Sequence, residues 1–203
     1  YYVLLWYGQG HYITLVAIGA LMLFMTIYAI TFPKYGTEQV TVAFFGIFYV
    51  AVMFSYLYQV RAMADGKYLV WLIFLSSWGC DTCAYCVGML LGKHKLAPVL
   101  SPKKSIEGAV GGVVGAALLG LLYASLFGHE MTDVANPHLA CAAACGIAAV
   151  ISQIGDLAAS AIKRNHEVKD YGHLIPGHGG VLDRFDSMLF TAPAIYFALT
   201  FLK

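Results

Sequence analysis

Ser160–Asp186 reads SAIKRNHEVKDYGHLIPGHGGVLDRFD. It is far more polar than its surroundings. It holds Lys163, Arg164 and Lys169, the histidines His166, His173 and His178, a Gly179-Gly180 pair, and then Asp183, Arg184 and Asp186. On either side lies an apolar run long enough to cross a bilayer. An ionic ligand is therefore expected to meet the membrane at this stretch.

The whole chain supports a membrane setting. Of its 203 residues, 60% are hydrophobic and 11% charged, against about 25% charged in soluble domains. Mean hydropathy is +0.73. Backbone groups in lipid must be hydrogen-bonded internally, so apolar runs of about 20 residues read as helices. Six such runs are visible, at roughly 11–32, 40–60, 68–91, 107–127, 138–163 and 182–202. The expected fold class is all-α, a polytopic integral membrane protein forming a single membrane domain over 1–203. Residues 1–10 read as the end of a further membrane segment. The chain starts at Tyr1 without a signal-peptide pattern, and residues upstream are expected.

Basic residues set the orientation. Lys34, then Lys93, Lys95, Lys103 and Lys104, then Lys163, Arg164 and Lys169 fall in alternate connections; the intervening ones hold only Arg61 and Lys67. The excess of Lys and Arg marks cytoplasmic loops. The fourth helix carries Gly108/Gly112 and Gly111/Gly115, spacings that allow close helix packing. The five cysteines lie in apolar stretches and suggest no disulfide framework. Cys80, Cys83 and Cys86 read as small buried hydrophobes rather than cluster ligands.

Acids within membrane helices carry the sharpest signal. Asp81, Asp156, Asp183 and Asp186 each interrupt an apolar run, where a carboxylate costs about 2.5–3.5 kcal/mol on insertion scales. The alternating topology brings all four to the cytoplasmic half. Clustered carboxylates repel unless protonated or bridged by a cation. Oxygen-only donors suit Mg2+, which commonly joins substrate phosphates. Lysines and arginines in the two large basic loops can bind those phosphates, and the Gly177–Gly180 turn runs into a helix start that favours an anion. The residues alone thus describe a membrane enzyme or carrier handling a phosphorylated ligand with a divalent cation. His173 and His178 read as phosphate or backbone hydrogen-bond partners rather than zinc ligands.

The stretch 160–186 resembles the signature of the phosphatidate cytidylyltransferase (CDP-diacylglycerol synthase) family: Ser, two residues, Lys-Arg, four residues, Lys-Asp, then Gly, Pro, His-Gly-Gly, Asp-Arg and Asp. Supporting matches are Asp81-Thr82 with Ala84-Tyr85, Gly92-Lys93-His94-Lys95-Leu96, Ser101-Pro102-Lys103-Lys104-Ser105 with Glu107-Gly108, and Gly155-Asp156-Leu157. The resemblance covers roughly 68–203, taken as the catalytic portion; the first two helices match in character only. Family members are usually longer, so an amino-terminal part of the family fold is expected upstream. Many relatives carry Glu directly before the signature serine, where this chain has Ala159, so no role is carried to that position.

The resemblance implies conversion of CTP and phosphatidic acid to CDP-diacylglycerol and diphosphate at a bacterial cell membrane, on its cytoplasmic side. It implies Mg2+ held by Asp156, Asp183 and Asp186, with a monovalent ion such as K+ beside it, and a homodimer. The catalytic group would be Asp156, Asp183, Asp186, Lys163, Arg164 and Lys169. Substrate contacts would come from Asp81, Lys93, Lys103, Lys104, Ser160, His178, Gly179, Gly180 and Arg184. Asp183→Asn is expected to abolish turnover in a folded protein. Two rivals remain open on sequence: a CTP-dependent polyprenol kinase, and an ion-coupled carrier of a phosphorylated solute.

Overall fold

The computed structural model describes residues 1–8, 12–172, 174 and 179–202. Among them, Tyr2–Trp6 forms a five-residue helix, α1. Six longer helices follow, each long and apolar enough to cross a membrane: α2 Ile13–Thr31, α3 Thr37–Arg61, α4 Gly66–Leu91, α5 Ile106–Glu130, α6 Pro137–Asn165 and α7 Leu182–Leu202. The shortest of these has 19 residues; at 1.5 Å per residue it measures about 28 Å, close to the ~30 Å hydrocarbon thickness. All six expected spans are present, and their ends move by a few residues, as caps rather than hydropathy set them.

One feature was not expected. Between α4 and α5, β1 (Lys95–Ala97) and β2 (Ser101–Ser105) form an antiparallel hairpin pairing Lys95 with Ser105 and Ala97 with Ser101. The polar loop between two spans is therefore ordered, and it carries Lys103 and Lys104.

The chain divides into two compact units, Tyr1–Ser55 and Tyr56–Lys203, with the division inside α3. In the first, the Tyr2 hydroxyl donates to the Ala51 carbonyl at 2.7 Å, and the Tyr1 and Ser55 hydroxyls lie 3.0 Å apart. These bonds tie α1 to α3.

In the second unit, α6 packs between α5 and α7, and α5 also packs on α4. Small residues make this possible. The buried stripe of α5 is Gly108, Gly112, Ala116, Gly120 and Ala124, one every fourth residue; α6 buries Ala140, Cys141, Ala144, Cys145, Ala148, Ala149, Ser152, Gly155 and Ala159. Such faces let backbones approach closely, the main source of helix association in lipid. A Cβ on Gly108 would lie 2.7 Å from the Ala84 carbonyl, and one on Gly120 2.6 Å from the Cys141 carbonyl. Gly111 and Gly115 lie against Val87 and Cys83 in the same way. The glycines of α5 therefore serve packing within the chain and lend no support to a dimer interface. Cys141 and Cys145 are buried, and Cys80 is buried as expected, whereas Cys83 is half-buried and Cys86 exposed, because a three-residue spacing drifts off a single helix face. Larger side chains, among them Leu69, Leu72, Ile73, Met188, Leu189, Ile195 and Leu199, fill the contacts of α4 and α7.

Candidate active site

Four helix ends meet at one end of the second unit: the carboxyl ends of α4 and α6 and the amino ends of α5 and α7. There they surround a cavity of about 530 Å³, a volume typical of small-molecule sites. Its walls carry Asp81, Asp156, Asp170, Asp183 and Asp186, faced by Lys103, Lys104, Lys163 and Arg184. One flank is apolar, with Ala84, Tyr85, Met89 and Leu96.

Local structure explains how each element delivers its side chain. In α4 a π-helical turn at Leu75–Gly79 precedes Asp81; such turns re-aim the residues that follow. Within it, Ser77 and the α7 residue Ser187 are buried with their hydroxyls 2.7 Å apart, which links the helices bearing Asp81 and Asp186. On α6, Gln153 lies three residues before Asp156. Its Nε2 donates to the Ala109 carbonyl at 2.9 Å, fixing α6 against α5. Ser105 caps α5, its Oγ accepting from the Gly108 amide at 3.2 Å, and so ends β2 where the helix begins.

The carboxylates are not equivalent. Asp156 is ion-paired with Lys104 of β2. The Lys163 ammonium lies 2.9 Å from Asp183 Oδ1 and 3.5 Å from Asp186 Oδ2, bridging two acids one helical turn apart. These three side chains are only 12%, 3% and 10% exposed, so their mutual charge compensation is little screened by water. Asp183 is also an anchor: its Oδ2 accepts from the amides of Tyr171 at 2.8 Å and Gly180 at 2.9 Å. Gly179, at φ +79°, takes a backbone conformation that other residues rarely adopt and brings the Gly180 amide round to Asp183. Asp81 makes no ion pair among the described residues and is exposed.

Of the residues expected from sequence, Asp81, Asp156, Asp183, Asp186, Lys103, Lys104, Lys163 and Arg184 line the cavity together. Gly180 contributes its amide to Asp183, and Gly179 shapes that turn. Arg164 instead donates to the Val168 carbonyl at 3.1 Å, closing the end of α6. Lys93 and Lys169 are exposed and Ser160 half-buried, and none of the three lines the cavity among the described residues. His173 and His178 lie outside the described residues. Asp170 and Gln153 received no role from the sequence reading. Asp170 stands in the quoted signature, and Gln153 shares a helix face with Asp156 by its i, i+3 spacing, so both had a usable signal.

Among the described residues, no three His, Cys, Asp or Glu side chains converge closely enough to hold one metal ion. The donor chemistry nevertheless fits a hard cation, since all the acids present oxygen. Moreover, the Asp183–Asp186 pair is already built around a positive charge, the Lys163 ammonium.

Comparison with known proteins identifies the family. The family model described as "Cytidylyltransferase family" matches residues 1–202, so the match takes in the first two helices, which the residues tied to the family in character only. The chain is 34% identical over 185 residues to a Bacillus subtilis protein named phosphatidate cytidylyltransferase, covering 91% of this chain and 67% of that one. A Staphylococcus saprophyticus protein of the same name is 35% identical over 193 residues, covering 94% and 70%. One from Staphylococcus aureus is 40% identical over 149 residues, covering 72% and 54%. With the family model matching residues 1–202 and relatives 34–35% identical over more than nine-tenths of it, the chain belongs to the cytidylyltransferase family.

Proposed function

We propose that this protein is a phosphatidate cytidylyltransferase, joining CTP and phosphatidic acid to give CDP-diacylglycerol and diphosphate at the cytoplasmic side of a bacterial cell membrane. The observation that carries the reading is the convergence of four intramembrane aspartates with Lys103, Lys104, Lys163 and Arg184 on one cavity. The names of the relatives point to the same reaction. The excess of Lys and Arg in the loops at this end supports the cytoplasmic side.

In the reaction an ionised phosphate oxygen of the lipid attacks the α-phosphorus of CTP. The new P–O bond forms as the bond to the β-phosphate oxygen breaks, and diphosphate leaves with the electron pair. No general base is required, because the attacking oxygen already carries charge. The difficulty is electrostatic: two anions must meet, and charge accumulates on equatorial oxygens in the transition state. Five carboxylates face four basic groups in the cavity wall, so the wall alone holds no surplus of positive charge for the two reactants. Asp156, Asp183 and Asp186 would offer carboxylate ligands to Mg2+ that substrate phosphates complete, with K+ as a second cation, supplying charge neutralisation at the transferring phosphoryl group. Lys104 and Lys163, now on carboxylates, are placed to turn to phosphate oxygens when substrate arrives. Lys103 and Arg184 add positive charge at the rim. Tyr85, Met89 and Leu96 offer the lipid an apolar flank, which suits a substrate whose tails stay in the bilayer. Assembly as a homodimer belongs to this reading, with contacts elsewhere than on the α5 glycines; cross-linking in detergent tests it.

The test is incubation of purified protein with CTP, phosphatidic acid and Mg2+. CDP-diacylglycerol and diphosphate are expected in equal amounts, and EDTA is expected to stop their formation. CDP with a phosphorylated lipid product would instead indicate a kinase. Solute uptake into vesicles without CTP consumption would indicate a carrier.

A further inference from the structure

The hairpin that bears Lys103 and Lys104 has strands of three and five residues. An isolated two-stranded hairpin of this size is marginal at best, yet Lys104 reaches an aspartate fifty-two positions away. Something must hold the hairpin in place, and the carboxylate of Glu107 is suited to the task. Glu107 lies in the first turn of α5. An acid there ordinarily serves its own helix, whose amino end favours negative charge. Here its oxygens reach across to a different segment. Oε2 accepts from the backbone amides of Lys93 at 3.0 Å and His94 at 3.2 Å, and Oε1 lies 2.6 Å from His94 Nδ1. In return, the His94 carbonyl accepts from the Ile106 amide at 2.9 Å. The entrance to β1 and the exit from β2 are thereby fastened to each other at the head of α5.

We propose that Glu107 is a positioning residue for CTP: by clamping both ends of the hairpin it aims Lys103 and Lys104 at the nucleotide's phosphates. Glu107 itself does not line the cavity among the described residues, so it acts through the lysines. The inference rests on the function proposed above. Each lysine aimed at a phosphate contributes a charge-assisted hydrogen bond, and a loosened hairpin forfeits much of that.

The test compares the wild-type protein with Glu107→Ala and Glu107→Gln in detergent. CTP affinity is followed by equilibrium titration, turnover by KM and kcat, and backbone order by amide hydrogen exchange. In Glu107→Ala, the dissociation constant and KM for CTP are expected to rise about tenfold, with kcat within about threefold of wild type. Faster exchange is expected at residues 93, 94, 101 and 103–105, with unchanged protection in α4 to α7. Glu107→Gln keeps one acceptor oxygen and is expected to fall between the two. Faster exchange at these positions with unchanged CTP affinity would overturn the proposal, as would slow exchange retained there in Glu107→Ala. If Glu107→Ala fails to fold, Glu107→Gln decides by the same readings. Turnover by the wild-type protein judges the parent function separately, while CTP titration and exchange judge the clamp even without turnover.

Discussion

Asp183→Asn removes one charge and exchanges one acceptor oxygen for a donor NH2. Asp183 Oδ2 serves two backbone amides, those of Tyr171 and Gly180, while Oδ1 serves the Lys163 ammonium. The asparagine oxygen is drawn to the two amides, and this leaves NH2 facing NH3+. Lys163 then keeps the longer contact to Asp186, at 3.5 Å, and its place over the Tyr171 ring. The loss is one buried charge-assisted hydrogen bond, about 1.5–3 kcal/mol, or roughly ten- to 150-fold in the population of the correctly placed ammonium. Turnover loses at least that factor, and more because the carboxylate is also proposed to hold Mg2+. The fold is retained, but Tyr171 and Gly180 are held less firmly, so the thermal midpoint should drop by several degrees. CDP-diacylglycerol formation from CTP and phosphatidic acid, with thermal unfolding in the same detergent, provides the assay. Turnover within about threefold of wild type in a folded variant would refute both the anchoring of Lys163 and the metal role of Asp183.

Three further outcomes follow from the packing and the site. Gly120→Ala places a methyl group 2.6 Å from the Cys141 carbonyl and should destabilise by about 1–3 kcal/mol; Gly19→Ala, with nothing within 4 Å, should leave the thermal midpoint unchanged or raised. Ser77→Ala or Ser187→Ala alone leaves the other buried hydroxyl unpaired and should cost about 1–3 kcal/mol, while the double replacement should cost less than the sum of the two, as a double-mutant cycle in denaturant would report. Lys104→Gln removes the partner of Asp156 and should raise KM for CTP about tenfold or more, measured by steady-state kinetics at saturating lipid.

The six spans, their approximate limits and the acids that interrupt them were legible because hydropathy and helix length are local properties. The glycine stripe of α5 was legible too, since every-fourth spacing fixes a helix face. What faces that stripe was not: Ala84, Cys80 and Cys141 meet it only because α4 and α6 cross α5 at particular heights. Arg164 and Lys169 looked equivalent to Lys163 in the quoted stretch. Helical phase separates Lys163, which points to α7, from Arg164, which reaches forward to the Val168 carbonyl, while Lys169 lies past the end of the helix.

By itself, then, the sequence determined a polytopic helical membrane protein, the family it belongs to, and the inventory of carboxylates and basic groups at one end of it. Only the tertiary structure decided the pairings: Lys104 on Asp156, Lys163 between Asp183 and Asp186, and Glu107 clasping the amides of Lys93 and His94. The physical reason is that periodicity and hydropathy act along the chain, over a turn or a span. Which charge meets which depends on helix crossings and on a short hairpin, set by contacts between residues far apart in the chain.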